Sequence, residues 1–428
     1  MSAKERSLPT HRISRFSKFA SLATRVAGNV IAEGTKQIAK GNKPKAKDLL
    51  LTPQNIARLT DQLAHLRGAA MKLGQMLSMD AGDVLEPELA DILSRLRSNA
   101  DPMPAKQLNG VMESSLGTNW KAEFLSFNFK PIASASIGQV HQAYSDGGDN
   151  LAVKVQYPGI RKSIDSDVDN VGTLLKVVGL IPESVDYKGL LEEAKKQLHD
   201  EADYAREAQF AIRYHDALKD HPHFVVPKIH TESCSESVLA MEFIDGSPIE
   251  QIEHYDQNTR DFVMHSLLEL LFRELFEFKM VQTDPNFANY LYIENTRQIG
   301  LLDFGATREY SERFSTGYRQ AFASVVNDDE QGLNDALEQI GFFSTTIMPT
   351  QRQAILDLVK MACEPMLVDE PYDFKASGLA QKLREAGTIL SMEQDYWHTP
   401  PADALFLHRK IGGMYLLAAR IGAKVNIR

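Results

Sequence analysis

Cysteine is nearly missing: Cys234 and Cys363 are the two thiols of a 428-residue chain. They stand far apart and in no metal-ligand spacing. That sets aside a disulfide framework and a zinc cluster, and it fits a reducing compartment. Long hydrophobic runs are missing as well. A membrane span needs about 20 apolar residues. The best stretches, 171–182 and 262–281, are broken by Lys176 and by Arg273, Glu274, Glu277 and Lys279. Residues 8–20 are basic and lack the apolar core of a secretory signal. Internal repeats and low-complexity tracts are absent.

What remains is an ordinary globular composition, 43% hydrophobic and 24% charged, on a chain long enough for one large or two ordinary domains. The net charge of −10 is unevenly spread. Residues 1–47 hold eleven Lys/Arg and two Glu, so the remaining body is strongly acidic. An acidic body argues against nucleic acid as a partner. The basic head also carries Phe16, Phe19, Ala20, Leu22, Val26, Val30 and Ile31. Two readings stand for it: a surface helix on anionic lipid, or a solvated tail. The chain is therefore expected to be cytoplasmic, with a peripheral place at the inner membrane if the head binds lipid.

Residues 36–48 have the composition of a solvated linker. Thr52-Pro53 is a helix start, a hydroxyl cap followed by proline at the first helical position. Ile56, Leu59, Leu63, Leu66, Ala70, Leu73 and Leu77 follow with helical spacing. Pro87 and the run 99–104 punctuate this helical segment. Leu151–Gln156 and Ser237–Phe243 read as strands, while 187–219, 257–281 and most of the chain after Gly305 read as helices. Strands early and helices late give an α+β, two-lobed architecture. The expected divisions are a head at 1–47, a helical extension at 48–128, an N-lobe at 129–245 and a helical C-lobe at 246–428.

The chemistry is concentrated in Asp284-Pro285-Asn286-Phe287-Ala288-Asn289 and in Asp303-Phe304-Gly305. An aspartate, an asparagine five residues on, and then Asp-Phe-Gly form the core of a kinase phosphoryl-transfer site. Asp284 can take the proton of an acceptor hydroxyl, and Asn289 and Asp303 can hold magnesium on ATP phosphates. Upstream, Ala133-Ser134-Ala135-Ser136-Ile137-Gly138-Gln139-Val140 fills the frame of a glycine-rich phosphate loop, with alanine at the first two glycine positions. Alanine resists positive φ and keeps the backbone further from a phosphate. The nucleotide is expected to be held differently from that in a protein kinase. Lys154 follows Val140 by fourteen residues, in register to pair with the α- and β-phosphates. Its carboxylate partner is expected on the helix holding Glu201, Asp203 and Glu207, and spacing alone does not choose among them. Glu242, Phe243, Ile244 and Asp245 follow a strand where a kinase hinge meets adenine. Lys72 and Gln75 share a helix face with Gly74 between them. A helix glycine costs about 1 kcal/mol against alanine, which suggests close approach of another segment.

These residues together resemble the UbiB/AarF-type atypical kinases. The marks are Lys72-x-Gly74-Gln75, the alanine-rich loop, Ser136-Ile137-Gly138-Gln139-Val140-His141, Ala152-Val153-Lys154, Glu201-x-Asp203, Asp284-Pro285-x-x-x-Asn289 and Asp303-Phe304-Gly305. The resemblance covers about residues 50–428. It implies a protein-kinase-like fold whose N-terminal extension folds over the nucleotide site and restricts what is phosphorylated. It implies Asp284 as the catalytic aspartate, Glu207 as the partner of Lys154, and Ser136 lining the phosphates. Glu201 and Asp203 would form a companion motif facing Lys72. ATP and Mg2+ are the implied cofactors, and support of ubiquinone biosynthesis the implied function. Anionic lipid and the proteins or precursors of quinone biosynthesis are the implied partners. Two departures stand out: Ser134 replaces an alanine of the loop, and no Ala-Pro-Glu follows Asp303 to build a peptide platform. Two rival readings are a small-molecule or lipid kinase acting on a prenylated quinone precursor, and a nucleotide-binding pseudokinase scaffold.

Overall fold

The computed structural model describes residues 55, 56, 59, 60, 63, 66–80, 92, 102–135, 137–177, 180–181, 187–343, 347–392 and 401–428. The basic head, the Thr52-Pro53 start, Pro87 and Ser136 lie outside the described residues, as does the side chain of Gln75. The chain divides into two compact units. One gathers the described residues up to Ala208 together with Ile229–Phe243, and the other comprises Gln209–Lys228 and Ile244–Arg428.

The first unit is built on an antiparallel sheet of β1 (Phe124–Phe127), β2 (Ala133–Ser134), β3 (Gly138–Ser145), β4 (Asn150–Gln156) and β6 (Val238–Glu242). Its order is β1-β3-β4-β6, with β2 also paired to β3. Val153 and Val155 of β4 are fully buried, packed in one cluster with Leu108 and Met112 of α2 (Ala105–Leu116) and with Trp120. Helix α1 (Arg67–Asp80) packs on α3 (Ile160–Val177) and α4 (Tyr187–Glu201). The expected apolar positions Leu59, Leu63, Leu66, Ala70 and Leu73 are all interior, and so are Met71 and Lys72 off that face. The motif spacing does not announce α3. Even so, Ile164, Val168, Val171 and Leu175 bury one face of it at helical intervals.

The helix expected over 187–219 is two helices, α4 and α5 (Tyr204–Leu218). The break has a local cause. Asp203 turns its carboxylate back to accept the Arg206 amide at 3.0 Å, capping α5. The Ala202 carbonyl is taken by Gln156 Nε2 at 2.7 Å. Helix α5 begins in the first unit and continues into the second beyond Ala208.

The second unit carries β5 (Phe224–Val225), β7 (Ser247–Pro248), β9 (Tyr290–Ile293) and β10 (Gln298–Leu301) in the order β5-β10-β9-β7, and a separate pair, β8 (Met280–Gln282) with β11 (Thr307–Glu309). Its helices include α6 (Gln257–Arg273), α7 (Glu312–Val326), α8 (Glu330–Ile340), α9 (Pro349–Ala362), α10 (Leu379–Met392) and α11 (Ala402–Ile421). The helix expected over 257–281 ends sooner. After Arg273 the chain makes a π turn to Phe278, Lys279 adopts a left-handed φ of 53°, and Met280–Gln282 is a buried strand. A short apolar run reads alike as buried helix or buried strand, which is why periodicity missed this. Among the described residues no helix is long and apolar enough to cross a membrane.

Candidate active site

In the first unit, β2 and β3 pair as a hairpin over the alanine-rich segment. Ala133 faces Val140 and Ser134 faces Gln139 across the ladder, and the Ala135 amide donates to the Gly138 carbonyl at 2.9 Å. None of Ala133, Ser134 and Ala135 has positive φ, so the backbone keeps to the region alanine prefers. Gly138 is required by close approach, because a β-carbon there would stand 2.5 Å from the Val155 carbonyl oxygen. The Gln139 and His141 of this motif work structurally. Gln139 Oε1 accepts the Met103 amide, its Nε2 donates to His141 Nε2, and His141 Nδ1 donates to the Asn128 carbonyl. Burial holds the imidazole pKa below its ordinary value, consistent with this neutral tautomer.

Lys154 projects from β4, and its Nζ lies 2.9 Å from both Glu207 carboxylate oxygens. Glu207 stands in the first turn of α5 and is 1% exposed. The ammonium also sits 5.1 Å from the centre of the Tyr204 ring. Of the three acidic residues that spacing left open, Glu207 is thus the one on Lys154. Glu201, at the end of α4, pairs with buried Lys72 of α1. Asp203 serves as the α5 cap. Gly74 is buried in α1. At the strand end, Glu242 pairs with Leu151, and the Phe243 amide is committed to the Asn150 carbonyl at 2.8 Å.

In the second unit, Ile244 lies over Gly300, where a β-carbon would come within 3.0 Å of it, and Asp245 is exposed. The two catalytic-type loops, 283–289 and 302–306, are bound to each other at both ends. The Leu302 amide donates to the Asn289 carbonyl at 3.0 Å, and the Thr283 hydroxyl donates to the Ala306 carbonyl at 2.7 Å. Strand pairs β9–β10 and β8–β11 continue these ties outward. Asn289 and Asp303 are therefore neighbours across the first tie. Asn289 Nδ2 donates to Asp284 Oδ2 at 3.2 Å, which turns its Oδ1 away from that aspartate. Asp303 Oδ1 accepts the Gly305 amide at 3.0 Å, and Phe304 is buried with its ring 4.8 Å from that of Tyr214. The donors so presented, a carboxylate and an amide oxygen, are the hard oxygen ligands magnesium takes.

Motif reading does not reach Arg409 and Lys410 of α11. Arg409 Nη2 is 3.6 Å from Asp284 Oδ1. Lys410 is buried and donates to Gln282 Oε1 at 3.0 Å and to the Tyr290 hydroxyl. Burial opposes the Lys410 charge, but Tyr290, Glu274 and Asp284 outweigh that cost and hold its pKa above the ordinary lysine value. The only signal in the sequence was an Arg-Lys pair on a helix, which ordinarily marks a solvated face.

The family model described as the ABC1 atypical kinase-like domain matches residues 95–337. The chain is 38% identical over 425 residues to the atypical kinase COQ8, mitochondrial, of Saccharomyces cerevisiae, covering 99% of this chain and 84% of that protein. It is 36% identical over 430 residues to the atypical kinase COQ8B, mitochondrial, of Danio rerio, covering 100% of this chain and 69% of that one. Among solved structures, Rv3197 of Mycobacterium tuberculosis, determined in complex with erythromycin, matches with a TM-score of 0.60 at 26% identity. That match covers 85% of this chain and 91% of Rv3197. The fold is protein-kinase-like.

Proposed function

The chain belongs to the ABC1 atypical kinase-like family, the UbiB type, and we propose that it is a Mg-ATP-dependent kinase or ATPase supporting ubiquinone biosynthesis. The observation that carries the chemistry is the Asp284-Asn289-Asp303 group, held together by the Leu302–Asn289 and Thr283–Ala306 hydrogen bonds. Asp284 takes the proton of an acceptor hydroxyl or water as that oxygen attacks the γ-phosphorus, and ADP leaves. Lys154, oriented by Glu207, binds the α- and β-phosphates. The alanine-rich hairpin borders the phosphates, and residues 242–245 border the adenine. Asn289 and Asp303 would hold magnesium, which would supply positive charge against the charge developing on the phosphates. Lys72, Gly74 and Gln75, with Glu201 and Asp203, limit which acceptors gain access.

The acceptor is a small molecule or lipid rather than a peptide. Between Gly305 and the Ser311 cap of α7 the chain has room only for β11. An extended activation segment on which a peptide could lie does not fit there. The relatives are named mitochondrial, and a peripheral place at the inner membrane rests on the lipid reading of the basic head, residues 1–47.

The test is Mg-dependent ATP turnover by the purified protein, with and without anionic liposomes, beside Asp284→Asn. Turnover that needs Asp284 and rises with liposomes supports the proposal. Turnover unchanged in Asp284→Asn sinks the assignment. Nucleotide binding without turnover in every condition favours the scaffold reading.

A further inference from the structure

The loop from Asp284 to Asn289 contains no cation of its own: Pro285, Asn286, Phe287 and Ala288 fill it. A cation nevertheless stands at Asp284, supplied from more than a hundred residues away. Arg409 of α11 has a side chain only 8% exposed, and its Nη2 is 3.6 Å from Asp284 Oδ1. Its Nε has no hydrogen-bond partner among the described residues. A guanidinium so enclosed is costly unless a charge answers it.

The helix is fitted to this loop at three points. Arg409 and Gly413 are four residues apart and share a face. A β-carbon on Gly413 would fall 2.3 Å from Pro285 Cβ, so only glycine lets α11 close on the residue after Asp284. Lys410 anchors the helix to Gln282 before the loop and to Tyr290 after it. Burial pushes the Glu274 carboxyl pKa up against the pull of Lys410 and Tyr214. Glu274 also takes the Gln282 amide at 3.3 Å, which ties the π turn into the same network.

We propose that Arg409 is the positioning residue of the catalytic aspartate and that α11 docks on the loop to deliver it. The inference rests on Asp284 being catalytic, as proposed above. The separation supports orientation rather than capture. A charge-assisted N–H···O bond closes to about 2.7–2.9 Å, and the Arg409 contact is longer. The Asn286 amide at 3.3 Å and Asn289 Nδ2 at 3.2 Å are long as well. An ionised carboxylate accepts along about four lone-pair directions. Three loose contacts aim Asp284 and leave it able to accept the proton of a hydroxyl.

The experiment compares ATP turnover, KM for ATP and melting temperature for wild type, Arg409→Met, Arg409→Gln, Arg409→Lys and Asp284→Asn. Expected is a fall in kcat of about 10–100-fold for the Met and Gln variants, with KM for ATP within about threefold. Their melting temperatures should stay near wild type, and Arg409→Lys should recover most of the rate. Met or Gln variants within about twofold of wild type overturn the proposal. So does a loss that lysine fails to restore and that follows a collapse in melting temperature. If Asp284→Asn keeps full turnover, the catalytic reading itself has failed. If Asp284→Asn is inactive while the Arg409 variants are unimpaired, only this inference has.

Discussion

Lys154 on β4 and Glu207 on α5 meet with both carboxylate oxygens 2.9 Å from the ammonium, inside one unit of the molecule. Both groups are nearly excluded from solvent. Such a pair is weak evidence for stability, yet breaking it is expensive because one charge is left buried and alone. Its role is thus better separated by pairs of variants than by one.

Glu207→Gln should lower stability by about 3 kcal/mol and weaken nucleotide binding. The double variant Lys154→Met with Glu207→Gln should regain much of that stability and remain inactive. Urea denaturation beside fluorescent-nucleotide titration reads both. A double variant as unstable as Glu207→Gln would show that the cost is not the unpaired lysine.

Gly138→Ala should cost about 1–3 kcal/mol, because the new methyl meets the Val155 carbonyl at 2.5 Å and the Tyr204 hydroxyl at 2.9 Å. Gly110→Ala is the matched control. It lies on α2 with nothing within 4 Å of a β-carbon, and should stabilise by up to about 1 kcal/mol. Thermal melts of the two variants should therefore move in opposite directions.

Glu201 and Asp203 should fail in different ways. Asp203→Ala removes the α5 cap and should cost about 1 kcal/mol, with asparagine restoring most of it. Glu201→Gln removes the charge beside buried Lys72. Its loss should shrink when Lys72 is also made methionine, whereas the Asp203→Ala loss should not. A double-mutant cycle measures the difference.

Stability should carry a pH signature from His408. Its Nε2 accepts the Tyr318 hydroxyl at 2.7 Å, and burial lowers its pKa from 6.5 to about 4. The folded pKa lies below the unfolded one, so only the unfolded chain takes up this proton as pH falls from 6.5 to 4. The contribution is present in full above that window and lost within it. It amounts to about 2 kcal/mol between pH 7.5 and 5. His408→Gln should flatten the pH dependence of the unfolding free energy by that amount. An unchanged slope would show that His408 titrates normally in the fold.

Groups whose chemistry is local were legible. Asp284 and Asn289 lie five residues apart on one loop, and Asp303 heads a three-residue motif. Lys154 sits in a strand whose apolar residues announce it. Short spacing encodes such arrangements because the backbone between them has few ways to run. Element ends were less legible. The α4–α5 break depends on Gln156 taking the Ala202 carbonyl from a distant strand, and the end of α6 on Lys279 turning left-handed.

By itself the sequence determined the two-lobed α+β class, the order of the phosphate loop, lysine and aspartate motifs, and the family. Tertiary structure decided which carboxylate each lysine receives: Glu207 for Lys154 and Glu201 for Lys72. It also decided that Arg409 and Lys410, separated from Asp284 by over a hundred residues, would stand beside it. Helical spacing specifies which residues share a face but not what that face will meet. Here the meeting was settled by packing, through the room a bare Gly413 leaves for Pro285.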